Sequence, residues 1–161
     1  MPLVYLSLGS NLGHREDYLT KARQTIQKEF SSSRFSKIYE TEPVDLLNQP
    51  WFLNQVAEFM TDRTPQSLLE WAHQLEKEQN RQREIPKGPR TLDVDLLLYG
   101  DLIQKDRDPV LPHPRLTQRR HVLTPLAELA PGLRIPLTSF SVQEALTQVK
   151  DFSQVRIHAD T

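Results

Sequence analysis

The segment Thr91-Leu92-Asp93-Val94-Asp95-Leu96-Leu97-Leu98-Tyr99-Gly100 constrains the fold more than any other, because it is a strongly apolar strand broken on one face by two acids. Residues two apart on a strand project to the same side, about 6.5 Å from one another. Asp93 and Asp95 therefore leave one face together, while Leu92, Val94 and Leu96 point the other way into a core. Such a strand needs a sheet beside it and helices beneath it.

The rest of the chain supplies them in a definite order. Leu3 to Leu8 is a short apolar run ended by Gly9-Ser10-Asn11-Leu12-Gly13, which predicts a buried strand and then a turn. From His14 onward, Leu19, Ala22, Ile26 and Phe30 recur at helical spacing, with Glu16 and Asp17 in the first turn where carboxylates complement the helix dipole. After Ser31-Ser32-Ser33, strands are predicted over Phe35 to Thr41 and Phe52 to Met60, separated by a polar loop containing proline. Thr64-Pro65 is a helix start, and Leu68, Trp71, Ala72 and Leu75 give that helix one apolar face to about Asn80. The order to this point is βαββαβ. It predicts an α+β, ferredoxin-like domain, an antiparallel sheet with helices on one face, and short additions from Leu123 to Val149.

With 161 residues, one domain spanning 1–161 is expected. Twenty Lys and Arg balance 21 Asp and Glu, so no long-range field draws nucleic acid or anionic lipid, and any phosphate binding has to be local. The absence of cysteine removes disulfides, thiolate zinc sites and a cysteine nucleophile. There is no basic leader and no run near the roughly 20 apolar residues of a membrane span. We expect a soluble cytoplasmic protein with neither nucleic-acid nor membrane partners.

Two carboxylates on one strand face repel unless cations lie between them, and magnesium is the hard partner for carboxylate oxygen. Directly upstream, Arg81-Gln82-Arg83-Glu84-Ile85-Pro86-Lys87-Gly88-Pro89-Arg90 places four cations beside the acids. Arginine grips phosphate oxygens in a bidentate fork while magnesium bridges phosphate to carboxylate, so the two sets suit a metal-phosphate complex. The plainer alternative is a solvated strand whose acids pair with Arg81 and Lys87.

At Gly88-Pro89-Arg90-Thr91-Leu92-Asp93-Val94-Asp95-Leu96-Leu97 the sequence resembles the signature of the 6-hydroxymethyl-7,8-dihydropterin pyrophosphokinase family of folate biosynthesis. Leu8-Gly9-Ser10-Asn11-Leu12, Tyr39-Glu40-Thr41 with Phe52-Leu53-Asn54, and Pro112-His113 followed by Arg119 and Pro125-Leu126 fall in the same order. The resemblance implies transfer of the β,γ-diphosphate of ATP to the pterin's hydroxymethyl oxygen, with release of AMP and two magnesium ions, on a ferredoxin-like monomer. By the same resemblance, Asp93 and Asp95 match the metal aspartates. Arg81, Arg83 and Arg90 match catalytic loop cations, and Glu76, Arg83, Arg90, His113 and Arg119 match nucleotide positions. Thr41, Val44, Phe52, Asn54 and His121 match pterin positions.

Three features depart from the family pattern. Pro86-Lys87 stands where a basic-tryptophan pair is usual, Asp108 and Val110 occupy a stretch that often carries a basic residue and a hydroxyl, and His121 stands where the second stacking aromatic is usually phenylalanine. Read from the residues alone, Phe52 suits core packing, Asn54 a turn-capping amide, and His113 a loop histidine between two prolines. Gly9-Ser10-Asn11-Leu12-Gly13 lacks the lysine of a phosphate-binding loop and reads as a turn, with backbone approach to a ligand as the weaker option. Two other functions share some of these features: a magnesium-dependent nucleotidyl- or glycosyltransferase, and a ferredoxin-like RNA-binding module. The second expects a basic, aromatic sheet face, and this chain places acids there.

Overall fold

In the computed structural model, residues 1–44, 48–79 and 91–158 are described. The elements are β1 (Leu3–Ser10), α1 (Arg15–Glu29), β2 (Ser31–Phe35), β3 (Tyr39–Thr41), β4 (Phe52–Met60), α2 (Pro65–Glu78), β5 (Asp93–Tyr99), α3 (Arg120–Leu129), α4 (Val142–Gln148) and β6 (Val155–Ile157). Among the described residues, no helix is long and apolar enough to cross a membrane.

The strands form one sheet in the order β5-β1-β4-β3-β6, with β2 also paired to β4. All pairings are antiparallel. Counting β2 and β3 as the two halves of one interrupted strand, the order fits the predicted split βαβ arrangement. That interruption corrects the expectation of a single strand over Phe35 to Thr41. Pairing starts already at Ser31, before the expected strand, and breaks after Phe35. At the break, Ser36 N–H donates to the Val56 carbonyl and the Ser36 hydroxyl accepts from Val56 N–H, so a side chain replaces the ladder.

Alternation divides the sheet into two faces. Val4, Leu6 and Leu8 of β1, Leu53, Ala57 and Phe59 of β4, and Val94 and Leu96 of β5 point down onto Leu19, Ala22 and Ile26 of α1 and Leu68, Ala72 and Leu75 of α2. Phe30 stacks on Phe59 with ring centroids 4.1 Å apart, and Trp71 meets Phe30 edge-on. Burial of these side chains is the main stabilising term, on the order of 1.5–3 kcal/mol for each large one. The α2 start is as predicted, with the Thr64 hydroxyl accepting from Ser67 N–H and Pro65 in the first turn.

The upper face is covered over only half its length, and by helices that were expected merely as additions. Tyr5, Val56, Leu97 and Leu98 meet Val122, Leu123 and Leu126 of α3 and Val142 and Ala145 of α4. Two consecutive leucines can serve this one cluster because the β1–β5 register shifts. Tyr5 pairs with Leu98 and Leu6 with Leu96, so Leu97 bulges out of the ladder. Polar contacts fasten α3 to the sheet: Glu128 accepts from Tyr39 Oη at 2.7 Å and from Lys37 N–H at 3.1 Å, and Arg34 donates to the Leu129 carbonyl.

Candidate active site

Beyond the α3–α4 cover, the upper face is open, and the register dictates what it presents. Ser7 lies between Val56 and Asp95, and Gly9 between Asn54 and Asp93. On the far side Asn54 pairs with Tyr39 and Phe52 with Thr41. Residues directly opposite in an antiparallel ladder share a face, so Thr41, Phe52, Asn54, Gly9, Ser7, Asp93 and Asp95 form one surface across four strands.

Two clefts open on this surface. The first, about 110 Å³, is bounded by Thr41, Val44, Phe52 and Asn54 on one side and by Arg119 and His121 at the start of α3 on the other. The second, about 420 Å³, runs between α2 and the 108–114 segment and is lined by Glu76, His113 and Arg119 together with Leu69, His73 and Asp108. Asp93, Asp95 and Arg119 border both. The two acids are a wall between two binding spaces rather than a decoration of one.

Each predicted residue in the described part reaches one of these clefts, and the local reasons are legible. Asn54 Nδ2 donates to the Thr41 hydroxyl, which turns its Oδ1 toward Gly9. A Cβ on Gly9 would lie 2.9 Å from that oxygen. Gly9 is thus inside β1, not in a turn, and its missing side chain is the space that Asn54 occupies, which corrects the sequence reading. Asn11, almost fully buried, donates to Gln49 Oε1 at 2.8 Å and to the Pro50 carbonyl at 2.9 Å, and Arg15 donates to the Trp51 carbonyl. The 48–51 segment beside Phe52 is held by the turn that follows β1.

In the wider cleft, Glu76 is buried and accepts from Val94 N–H at 2.8 Å, so it fixes the start of β5 between the two acids. His113 is no solvated loop histidine. Its N–H donates to the carbonyl of the bulged Leu97 at 2.9 Å, and its Nδ1 accepts from Arg115 N–H at 3.1 Å. Burial, and then the charges of Arg119 and Arg115, lower its pKa to about 4 despite the opposing pull of Asp93. The ring is neutral at physiological pH with its one proton on Nε2, a donor for a phosphate oxygen.

Arg81, Arg83 and Arg90, with Lys87, lie outside the described residues. Sequence reasoning preferred a turn at Gly9 over approach to a ligand, and missed the Asn11 clamp and Ser7, Glu42, Gln49 and His73 as lining. The phase of β1 carried a signal for two of these, since Ser7 and Gly9 are the small residues of its otherwise bulky upper face.

The match to a protein-family model decides the lineage: the model of 7,8-dihydro-6-hydroxymethylpterin-pyrophosphokinase covers residues 5–131. The chain belongs to this family. The pyrophosphokinase relatives include the 2-amino-4-hydroxy-6-hydroxymethyldihydropteridine pyrophosphokinase of Bacillus subtilis, 40% identical over 85% of this chain and 83% of that protein. The Aquifex aeolicus enzyme of the same name is 36% identical over 91% of this chain and 94% of that one. In the Pneumocystis carinii folic acid synthesis protein fol1, 36% identical, this chain corresponds to only 20% of the length. A crystal structure of Plasmodium falciparum HPPK-DHPS has the same fold, with a TM-score of 0.73 over 91% of this chain and 43% of that one at 14% identity.

Proposed function

We propose that this pyrophosphokinase family member transfers the β,γ-diphosphate of ATP to the hydroxymethyl oxygen of 6-hydroxymethyl-7,8-dihydropterin, releasing AMP, in a magnesium-dependent reaction. The observation that carries this reading is the shared wall: two clefts of different shape meet at Asp93, Asp95 and Arg119. A group transfer needs its two substrates to touch at one charged boundary.

The narrow cleft suits a flat heterocycle. Phe52 offers a ring face, Asn54 and Thr41 offer an amide and a hydroxyl already bonded to each other, and His121 offers a second planar ring opposite. The wider cleft suits a nucleotide, with Leu69, Pro109 and Val110 at the apolar side and His113 and Arg119 toward the acids.

The donor set is compatible with magnesium. Two carboxylates leave one strand face, and among the described residues no group of three His, Cys, Asp or Glu forms a closed cage. Magnesium is held in this way when substrate phosphates complete its oxygen shell. Asp93 and Asp95 would hold it, up to two ions, and it would supply charge neutralisation on the phosphate chain and a more acidic hydroxymethyl group. The chain's own part is positional. Phe52, Asn54 and Thr41 orient the pterin with its hydroxymethyl group toward the wall, Asp95 is placed to take up the proton released there, and neutral His113 donates from Nε2 to a phosphate oxygen. Arg119 spans both clefts and offsets negative charge as the bond to AMP breaks. Arg81, Arg83 and Arg90 would add cations from the preceding segment, and the domain is proposed to act as a monomer in the cytoplasm.

The test is incubation with ATP, magnesium and the reduced hydroxymethylpterin, followed by nucleotide and pterin analysis. AMP and a diphosphorylated pterin are expected in equal amounts. ADP, or AMP with an unmodified pterin, overturns the assignment.

A further inference from the structure

Both sides of the narrow cleft are tied together by a segment outside the family match, and one of its side chains stands out. Asp151 lies 31 positions after Arg120, yet its Oδ2 accepts from Arg120 N–H, the first N–H of α3, at 3.1 Å. The helix lacks a cap of its own: Arg119 at the N-cap position makes no side-chain capping bond, and the first turn holds no acid. Asp151 therefore supplies from a distance the acceptor and the negative charge that a helix start favours. Its other oxygen, Oδ1, accepts from Ser153 N–H at 3.0 Å and from the Ser153 hydroxyl at 2.6 Å. With both oxygens engaged, the carboxylate has one orientation.

From Asp151 the chain runs straight to the opposite wall. Gln154 accepts from Glu42 N–H through its carbonyl and donates to Glu42 Oε1 through its own N–H. Val155–Ile157 then pairs with Tyr39–Thr41, placing Val155 against Thr41. Thr41, Glu42 and Val44 line one side of the cleft, and Arg119 and His121 the other. Seven residues, 151–157, span the two.

We propose that Asp151 is a positioning residue for this cleft: bonded to the start of α3, it holds Arg119 and His121 in the wall and supplies the anion that offsets positive charge on the His121 ring. The inference rests on the pterin reading of the cleft. Burial opposes ionisation of Asp151, but the bonds from Ser153 and Arg120 and the proximity of His121 hold its carboxyl below the usual carboxylate range. Other charged groups stand around His121: Arg119 and Arg120 directly before it in the chain, and Asp93 and Asp95 of β5 and Glu42 after β3 on the lining of the same cleft. Asp151 differs from the two β5 acids in standing apart from the phosphate wall, so its charge persists when divalent cations and ATP neutralise the others.

The experiment is NMR titration of the His121 ring in magnesium-containing buffer without pterin, in wild type, Asp151→Asn and Ser153→Ala. Loss of the anion should move the His121 midpoint downward by roughly half to one pH unit in Asp151→Asn. A smaller shift the same way is expected in Ser153→Ala, which keeps the charge but frees its orientation. A midpoint unmoved in both variants overturns the proposal; should Asp151→Asn fail to fold, the Ser153→Ala titration decides alone. Pterin affinity against pH, measured in the same proteins and in His121→Phe, tests the underlying reading separately. If the ring midpoint moves while pterin affinity does not follow it, the coupling stands and the pterin reading of the cleft fails.

Discussion

The two ends of the upper sheet face are built from the same strands and do opposite things. At one end Tyr5, Val56, Leu97 and Leu98 are large and apolar, and α3 and α4 close over them. At the other, the same strands carry Ser7, Gly9, Asn54, Asp93 and Asp95, and the surface stays open. A helix on that end would bury two carboxylates, and taking each ion out of water costs several kcal/mol. Apart from the bulge at Leu97, the same backbone ladder runs through both ends, so the difference lies mainly in the side chains, and it teaches that a binding face can be made by withholding apolar residues from part of a sheet.

The contrast can be broken most sharply at Asp95. Asp95→Ala should lower kcat by roughly a thousandfold or more, as expected for loss of a metal-binding carboxylate, with thermal unfolding little changed. Single-turnover kinetics alongside calorimetry would check both halves, and a near-normal rate would remove Asp95 from the chemistry. At the closed end the signature should invert. Leu126→Ala removes a fully buried side chain and should cost about 2–5 kcal/mol of stability, read by denaturant unfolding, with little loss of kcat in the fraction that stays folded.

Smaller perturbations sharpen the boundary. Gly9→Ala places a carbon against Asn54 Oδ1 and should weaken pterin binding by roughly tenfold, about 1.4 kcal/mol, while ATP affinity holds; calorimetric titration of each substrate separates the two. At the closed end the Arg34 fork holds the Glu58 carboxyl below the usual range against the opposing effect of burial, with Tyr5 Oη adding a bond at 2.6 Å. A carboxyl depressed in the folded state binds more protons when unfolded. Its contribution is therefore present above the ordinary carboxylate range and lost as pH falls through the folded value. Arg34→Ala should cost about 1 kcal/mol at neutral pH, since Arg34 is largely exposed, and should flatten the stability loss between about pH 5 and pH 3. The smallest effect is expected at His121. Pterin affinity should fall about threefold below pH 6 in wild type as the ring protonates and stay flat in His121→Phe.

Much of this was legible in the residues. The two-residue spacing of Asp93 and Asp95 against Leu92, Val94 and Leu96 in β5 and the helical spacing of Leu19, Ala22 and Ile26 told which faces meet, because burial enforces those periods directly. The specific Asp-x-Asp strand located the shared wall. What escaped were features set by contacts distant in sequence. The break between β2 and β3 depends on Ser36 meeting Val56, the cap of α3 on Asp151, and the cover of the upper face on packing of α3 and α4 against a bulge. Gly9 was misjudged because glycine after a strand ordinarily ends it, and only the pairing with Asn54 reveals that the strand continues.

The bulge at Leu97 carries one further consequence. By stepping out of the ladder, that residue offers its carbonyl to His113 N–H, so the spacing between the imidazole and the two acids is set by main-chain geometry, independently of what side chain stands at 97. A leucine-to-valine or leucine-to-methionine exchange there would leave the ruler intact. Deleting the residue would restore an unbroken ladder, with Leu98 still opposite Tyr5 and Tyr99 still opposite Val4, and would take away the carbonyl that anchors His113, so the nucleotide cleft would lose its floor while both layers kept their side chains.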